Sequence, residues 1–134
     1  MKTILDTGPL VALLNRRDTF HRWTREALAH LASPLYACEP VLTEAAYLTK
    51  RPIEILRMVT DGALTIGLTV TDESEALQRL LQRYDGRMDL ADACVVRQSE
   101  LFQDSQVFTL DRRDFSIYRR NGRQAIPLLA PPVR

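Results

Sequence analysis

The sequence predicts an α/β fold of three layers, α/β/α, in which helices cover both faces of a mainly parallel sheet. Short apolar runs of strand type alternate along the chain with stretches of helical periodicity, which is the pattern of βαβ units. The 134 residues contain no internal repeat, linker or low-complexity tract. We therefore expect residues 1–134 to form a single domain.

The chain begins with the run that we predict to be the central strand. Thr3-Ile4-Leu5 is bounded by Asp6 and a Gly-Pro breaker, and residues 10–14 then fit a helix. Asp6 would stand at the carboxyl end of this strand, where open α/β sheets bind ligands. The alternative is that Asp6 caps the following helix, which has Pro9 in its first turn. For Asp6 taken alone, the cap is the better explanation.

The remaining elements follow from periodicity and from residues that start or stop helices. Asp72 and Glu75 have the spacing of a capping box, and residues 111–120 are predicted to be a loop or a short helix. We predict helices over residues 20–31, 40–48, 52–61, 73–84 and 88–102, and strands over residues 35–38, 64–70, 107–110 and 126–129.

Composition indicates an intracellular protein but does not indicate what it binds. Eighteen Lys and Arg nearly cancel seventeen Asp and Glu, so net charge gives no preference for nucleic acid. Cys38 and Cys94 lie in apolar runs without metal-ligand spacing and are expected to be buried and reduced, while His21 and His30 are expected at the surface. No apolar run approaches a membrane span, so we expect a cytoplasmic protein. Arginines cluster in two places and are expected to be solvated unless a chemical site lies beside them: Arg16, Arg17, Arg112, Arg113, Arg119, Arg120 and Arg123.

Three acids besides Asp6 lie where a solvent-facing side chain is not expected. Asp92 is predicted in the middle of a helix, and its only polar neighbour on that face is Asp89, one turn earlier. Glu44 lies on the apolar stripe of another helix, and Asp111 directly follows a predicted strand. A carboxylate on an apolar face is partly desolvated and costly unless it is paired.

Most of these acids also have an ordinary structural explanation. Asp89 is suited to cap its helix or to lie in its first turn, where the helix dipole favours negative charge. Glu44 has Lys50 within reach for an ion pair, and Asp111 fits a turn. A cap explains Asp92 poorly.

Taken together, the acids point to a cation. Asp6 and Asp111 end strands while Glu44 and Asp92 lie on apolar helical faces, so all four can converge at the carboxyl edge of the sheet. Two carboxylates about 5 Å apart repel by roughly 3 kcal/mol at an effective dielectric constant near 20. Protons or divalent cations must compensate, and ligands that are all oxygen suit Mg²⁺ or Mn²⁺. No cluster of His or Cys points to zinc.

The chain resembles the PIN-domain ribonucleases, particularly the VapC-like toxins of bacterial and archaeal toxin–antitoxin pairs. The resemblance spans most of the chain, in the family's order, and rests on Ile4-Leu5-Asp6-Thr7, Leu42-Thr43-Glu44, Leu90-Ala91-Asp92-Ala93, and Thr109-Leu110-Asp111 followed by Phe115. It implies a PIN-like fold with Asp6, Glu44, Asp92 and Asp111 as the metal-binding acids and Thr7 as a hydroxyl of the site.

The resemblance also implies an activity and partners. We expect Mg²⁺- or Mn²⁺-dependent cleavage of RNA, in which Arg112 and Arg113 hold phosphates beside the cut. Asp89 and Asp114 are further acids at positions that the family fills variably. The resemblance implies a homodimer, and an antitoxin that docks near the acids, commonly with an Arg or Lys.

Four alternative interpretations compete with this one, and the sequence argues against the first two. Asp6-Thr7-Gly8 matches the aspartic proteases, but those are all-β and need two such aspartates, whereas this chain has at least four helical stripes. A dehalogenase-like phosphatase would have a second Asp where Gly8 stands. The non-enzyme alternative is a PIN-like or receiver-like module that only binds a cation or a basic partner; a housekeeping RNA-processing nuclease is a further possibility within the enzyme class.

Overall fold

The structure is a computed structural model, and it describes residues 1–133 of the chain. Its strands are β1 (Lys2–Leu5), β2 (Leu35–Ala37), β3 (Leu64–Ile66), β4 (Ser105–Phe108), β5 (Arg119–Arg120), β6 (Gln124–Ala125) and β7 (Leu128–Leu129). Its helices are α1 (Thr7–Leu14), α2 (His21–Leu28), α3 (Glu39–Thr49), α4 (Pro52–Thr60), α5 (Val70–Arg83), α6 (Leu90–Leu101) and α7 (Arg112–Ile117).

Five parallel strands form the central sheet, in the order β3-β2-β1-β4-β7. Strand β1 lies in the middle, with Ile4 beside Tyr36 of β2 and Leu5 beside Phe108 of β4. Strands β5 and β6 form a separate antiparallel pair. The predicted α/β fold is confirmed, as is the prediction that the first strand of the chain is the central one.

Successive side chains of the central strands enter different cores, because side chains alternate between the faces of a strand. Ile4 and Val107 belong to one apolar cluster, which includes Leu77 of α5 and Val95 of α6. The next residues along the same strands, Leu5 and Phe108, belong to a second cluster with Leu10 of α1 and Ile55 of α4, so helices cover both faces. Cys38 and Cys94 are buried and free, as predicted.

The segment between β3 and α5 differs from the prediction. The alternation over residues 64–70 predicted a long strand, but β3 ends at Ile66 and Val70 already begins α5. Thr69 caps this helix by accepting a hydrogen bond from the Asp72 amide at 3.3 Å. The predicted capping box of Asp72 and Glu75 is therefore wrong, and Asp72 lies in the first turn of the helix.

Two smaller expectations also need correction. His21 is half-buried, and its Nδ1 lies 2.7 Å from the carbonyl oxygen of Ala12, so this histidine joins α2 to α1; His30 is exposed, as predicted. Residues 112–117 form the helix α7, which settles the loop-or-helix alternative. Within residues 1–133, no helix has the length and apolar character needed to cross a membrane.

Thr24 offers a test of how α2 is packed. Its side chain is fully buried, and its hydroxyl has no hydrogen-bond partner among the described residues. A buried polar group without a partner costs about 1–3 kcal/mol, so we expect Thr24→Val to raise the free energy of unfolding by about 1 kcal/mol. That gain corresponds to roughly 4 °C in Tm for a domain of this size.

Thermal denaturation followed by circular dichroism is the measurement, with Thr65→Val as control because Thr65 is exposed on β3. The control should shift stability by less than about 0.5 kcal/mol. A Thr24→Val variant that melts below the wild type would contradict the assignment of an unpaired hydroxyl.

Candidate active site

Seven acids line one cavity at the carboxyl end of the central strands. The cavity has a volume of about 610 Å³, and Arg87 is the single cation among its lining residues. The four acids on which the sequence prediction depends are all present, supplied by the end of β1, by α3, by the start of α6 and by the segment between β4 and α7. The acids that line the cavity are Asp6, Asp18, Glu44, Asp89, Asp92, Asp111 and Asp114.

Asp6 directly follows β1 and is only 8% exposed. Asp6 occupies the N-cap position of α1, but its side chain makes no capping hydrogen bond to that helix, so capping does not account for it. Instead, the hydroxyl of Thr109 donates a hydrogen bond to Asp6 Oδ2 at 2.7 Å. Burial raises the pKa of Asp6 to about 6, and the negative charges of Asp111 and Glu44 act in the same direction, while the Thr109 hydrogen bond opposes them.

Asp89 and Asp92 form a capping box at the start of α6. The Asp92 amide donates to Asp89 Oδ1 at 2.8 Å, and the Asp89 amide donates to Asp92 Oδ2 at 3.4 Å. The predicted mid-helix position of Asp92 is wrong, because α6 begins only at Leu90 and Asp92 lies in its first turn. A structural role therefore accounts for Asp92 better than the sequence indicated.

Asp92 nevertheless has a perturbed environment. Its Oδ2 also accepts a hydrogen bond of 3.0 Å from the hydroxyl of Tyr118, a side chain that is itself buried. Burial raises the pKa of Asp92 to about 7; the charge of Asp89 adds to the shift and the Tyr118 hydrogen bond opposes it. A carboxyl group poised between its two protonation states near neutral pH is typical of functional sites.

Asp111 caps α7 and is held by the same threonine as Asp6. Strand β4 ends at Phe108, so Asp111 follows it by three residues rather than directly. The Asp114 amide donates to Asp111 Oδ1 at 3.0 Å, and the Asp111 amide donates to Thr109 Oγ1 at 2.9 Å. Asp111 is thus a cap as well as a lining residue of the cavity. Its neighbour Asp114 forms an ion pair of 2.7 Å with Arg87.

Glu44 and Thr7 bring polar atoms to the cavity that nothing else in the described chain engages. Glu44 is half-buried and makes no hydrogen bond or ion pair with residues 1–133. Lys50, the expected partner, lies over the ring of Tyr47 at 4.3 Å instead, so the predicted alternative of an ion pair is wrong. The hydroxyl of Thr7 is buried and has no partner within the same residues.

This donor set has the chemistry of a hard-cation site. It consists of carboxylate oxygens and one free hydroxyl, which are ligands that Mg²⁺ and Mn²⁺ prefer. Within residues 1–133, however, no three His, Cys, Asp or Glu side chains lie close enough together to form a ready coordination group. The acids therefore line one cavity but do not form a closed coordination shell.

The two arginines predicted beside the site differ in their surroundings. Arg112 donates to the carbonyl oxygens of Ala130 and Pro131 at 3.2 and 3.4 Å and lines a separate cavity. Arg113 is exposed.

Sequence reasoning missed the site contacts of Arg87, Thr109 and Tyr118, since each is paired with an acid far along the chain. Asp18 was expected only as a cap.

Comparisons with known proteins give one consistent family. Residues 3–121 match the sequence profile of the PIN domain. Ribonuclease VapC26 of Mycobacterium tuberculosis is 29% identical over 126 residues, which cover 89% of this chain and 93% of the relative. The crystal structure of VapC20 of the same organism, described as a toxin that cleaves the sarcin–ricin loop, superimposes with a TM-score of 0.67. The two chains are 22% identical, and the superposition covers 82% of this chain and 92% of the VapC20 chain.

The raised pKa values predict how stability depends on pH. The folded state binds protons on Asp6 and Asp92 more tightly than the unfolded chain does, where aspartates titrate near about 3.9. We therefore expect the metal-free protein to lose stability as the pH rises from about 4 to about 7, because ionisation then favours the unfolded state. Asp92→Asn should remove the part of this loss nearest pH 7.

Tm measured in EDTA across this pH range tests the expectation. Asp85→Asn is the matched control, because Asp85 is an exposed aspartate just after α5 and does not line the cavity. The control should follow the wild-type profile. An Asp92→Asn profile that also runs parallel to the wild type would show that Asp92 titrates as an ordinary surface acid.

Proposed function

Since the chain belongs to the PIN domain family, we propose that it is a Mg²⁺- or Mn²⁺-dependent endoribonuclease and the toxin of a toxin–antitoxin pair. The observation that carries the proposal is the shared cavity of Asp6, Glu44, Asp92 and Asp111 at the carboxyl edge of the sheet. VapC26, whose length this chain nearly spans, is a ribonuclease by name and supports the same activity.

In this proposal Asp6, Glu44, Asp92 and Asp111 hold the cation, and Asp89 is a further candidate ligand. A bound divalent cation lowers the pKa of water and stabilises negative charge on phosphate oxygens. The raised pKa values of Asp6 and Asp92 mean that protons compete with the cation for these carboxylates near neutral pH. Thr109 and Tyr118 orient Asp6 and Asp92 through their hydroxyl groups.

The substrate contacts proposed from the sequence are Thr7, Arg112 and Arg113. The unpartnered hydroxyl of Thr7 in the cavity is suited to donate to a phosphate oxygen. Arg113 is free to meet a phosphate as an exposed side chain, whereas Arg112 would have to leave its contacts with the C-terminal segment. Arg87 lies closer to the acids but is already paired with Asp114.

We also propose the partners that the resemblance implies, an antitoxin and a second copy of the chain. Next to the acidic cavity lies a mainly apolar one of about 780 Å³, bordered by Glu39, Glu44 and Asp89. Tyr47 and Leu90 in its wall are 71% and 43% exposed. A segment with apolar anchors and a basic residue fits this surface. The homodimer and the cytoplasmic location remain predictions.

The alternative function is a module that binds a cation or a partner without cutting RNA. The helix caps at the site support it, because Asp89, Asp92 and Asp111 each accept a backbone hydrogen bond that serves the fold and needs no catalytic role. A housekeeping nuclease would use the same residues as a toxin. Metal affinity without RNA turnover distinguishes the binding module from both enzymes.

We expect Mn²⁺ to stabilise the wild-type protein and to be required for RNA cleavage. At a Mn²⁺ concentration of about a hundred times Kd, the free energy of unfolding should rise by about 2.7 kcal/mol. Above pH 7, Asp92→Asn should melt at a higher temperature than the wild type without metal, because the neutral side chain relieves desolvation and repulsion. It should gain little from Mn²⁺ and should not cleave RNA.

Thermal unfolding and gel assays of a labelled RNA, each with Mn²⁺ or EDTA, provide the measurements. Asp85→Asn again serves as control and should behave as the wild type. Stabilisation by Mn²⁺ without cleavage of any RNA tested would favour the binding module. If Mn²⁺ changes neither stability nor cleavage, the acids have structural roles only and the nuclease proposal loses its basis.

A further inference from the structure

We propose that a second, positively charged cavity binds the phosphate backbone of single-stranded RNA beside the acidic cavity. We call it the arginine cavity; it has a volume of about 840 Å³ and lies where the α1–α2 turn meets the start of α4. The inference rests on the proposed function and extends it to how the substrate is held. Its charged and polar lining consists of Asn15, Arg16, Arg17, His21, Arg25, Arg51 and Glu54.

The arginine cavity has an excess of positive charge that the described chain leaves uncompensated. Arg51 forms an ion pair of 2.8 Å with Glu54, the one acid in the lining. The side chains of Arg16, Arg17 and Arg25 make no hydrogen bond or ion pair with residues 1–133, and all three are exposed. Three guanidinium groups on one concave surface suit a ligand with several phosphates.

Two of these arginines are presented by a turn that is well ordered by hydrogen bonds. Asn15 Oδ1 accepts from the Arg17 amide at 3.1 Å, and the Asp18 amide donates to the Asn15 carbonyl oxygen at 3.0 Å. The His21 amide donates to the carbonyl oxygen of Asp18, also at 3.0 Å. The backbone of the turn therefore needs little ordering when a ligand binds, which lowers the entropic cost of binding.

The arginine cavity and the acidic cavity are lined by neighbouring stretches of the chain, although no residue lines both. The turn between α1 and α2 contributes Arg16 and Arg17 to the former and Asp18 to the latter. At the end of α3, Leu48 lines the acidic cavity and Arg51, three residues later, lines the arginine cavity. This closeness along the chain is the basis on which we place one strand of RNA across both cavities.

The acidic cavity alone is unfavourable for RNA, so a positive surface elsewhere would have to contribute to its binding. Seven acids and one arginine line it, so without a cation it repels a phosphate backbone. Three of the five arginines near the C-terminus that the sequence singled out donate to backbone carbonyl groups, while Arg113 and Arg123 are exposed. Arg112 contacts Ala130, Arg119 contacts Ser116, and Arg120 contacts Gln103. The arginine cavity, by contrast, contains three arginines that make no hydrogen bond or ion pair through their side chains within residues 1–133.

Salt dependence of RNA binding tests the proposal. The log of the association constant falls with the log of salt concentration by about 0.7 per phosphate contact for single strands. We expect the double variant Arg16→Gln/Arg17→Gln to reduce this slope by about 1.4 and to weaken binding roughly 10- to 30-fold near 0.1 M salt. The measurement is fluorescence anisotropy of a labelled single-stranded RNA in EDTA, with NaCl varied.

The matched control is Arg22→Gln/Arg57→Gln, which changes net charge equally. Both arginines are exposed on the neighbouring helices α2 and α4 and line neither cavity. The control should bind RNA within about twofold of the wild type, with the wild-type slope. All the substituted arginines are exposed, so the variants should melt at the wild-type temperature.

The outcomes separate this inference from the proposed nuclease. If the wild type cleaves RNA with Mn²⁺ while the Arg16/Arg17 variant and the control have the same affinity and slope, the arginine cavity is not the RNA site. If the cavity variant alone loses affinity but the wild type cleaves no RNA, the cavity stands and the nuclease fails. Undetectable RNA binding by the wild type at low salt overturns the inference. So does a poly-glutamate peptide that binds as tightly as RNA, since it would assign the cavity to an acidic protein segment.

Discussion

The carboxyl group of Asp6 is buried where the central strand meets the first helix, and the rest of the site is arranged around it. Ile4 and Leu5 fix its position from both sides, because one belongs to the core under α5 and α6 and the other to the core under α1 and α4. The hydroxyl of Thr109, just after the neighbouring strand β4, donates a hydrogen bond to Asp6. The same hydroxyl oxygen accepts a hydrogen bond from the Asp111 amide. Packing of two cores thus determines the spacing of two acids.

A small domain tolerates this concentration of acids because several of them also stabilise helices. Asp89, Asp92 and Asp111 accept backbone amide hydrogen bonds at helix starts, where the helix dipole favours negative charge. Asp6 makes no side-chain capping hydrogen bond and Glu44 lies within α3, and burial raises the pKa of Asp6 despite the hydrogen bonds of Thr109 and Thr7. The cavity therefore combines acids that the fold stabilises with acids that a proton or a cation must neutralise.

The sequence predicted the architecture well because periodicity and chain breakers are local signals. The central place of β1, the parallel sheet and the order of its helices all followed from them. The errors arose where a local pattern fits two structures. The alternation after Leu64 predicted a strand through residues that begin α5. The prediction started α6 at Met88 instead of Leu90, which placed Asp92 inside the helix. A shift of two residues was enough to turn a capping acid into an apparent mid-helix anomaly.

The contacts that complete the site were not predictable from local pattern. Thr109 meets Asp6 across 103 residues, Tyr118 meets Asp92 across 26, and Arg87 meets Asp114 across 27. Such pairs depend on strand register and on the packing of α6 against β5, neither of which periodicity specifies. The convergence of the acids was inferable only because each stood at the end of an element or on an apolar face.

The edges of the central sheet limit how this molecule can associate. Its two border strands, β3 and β7, have only three and two residues, and Pro131 and Pro132, which follow β7, lack the amide hydrogen that a further strand would need. The sheet therefore offers little template for extension by β-strand addition. For the central sheet, these edges favour association through helical faces and side chains over a continuous sheet.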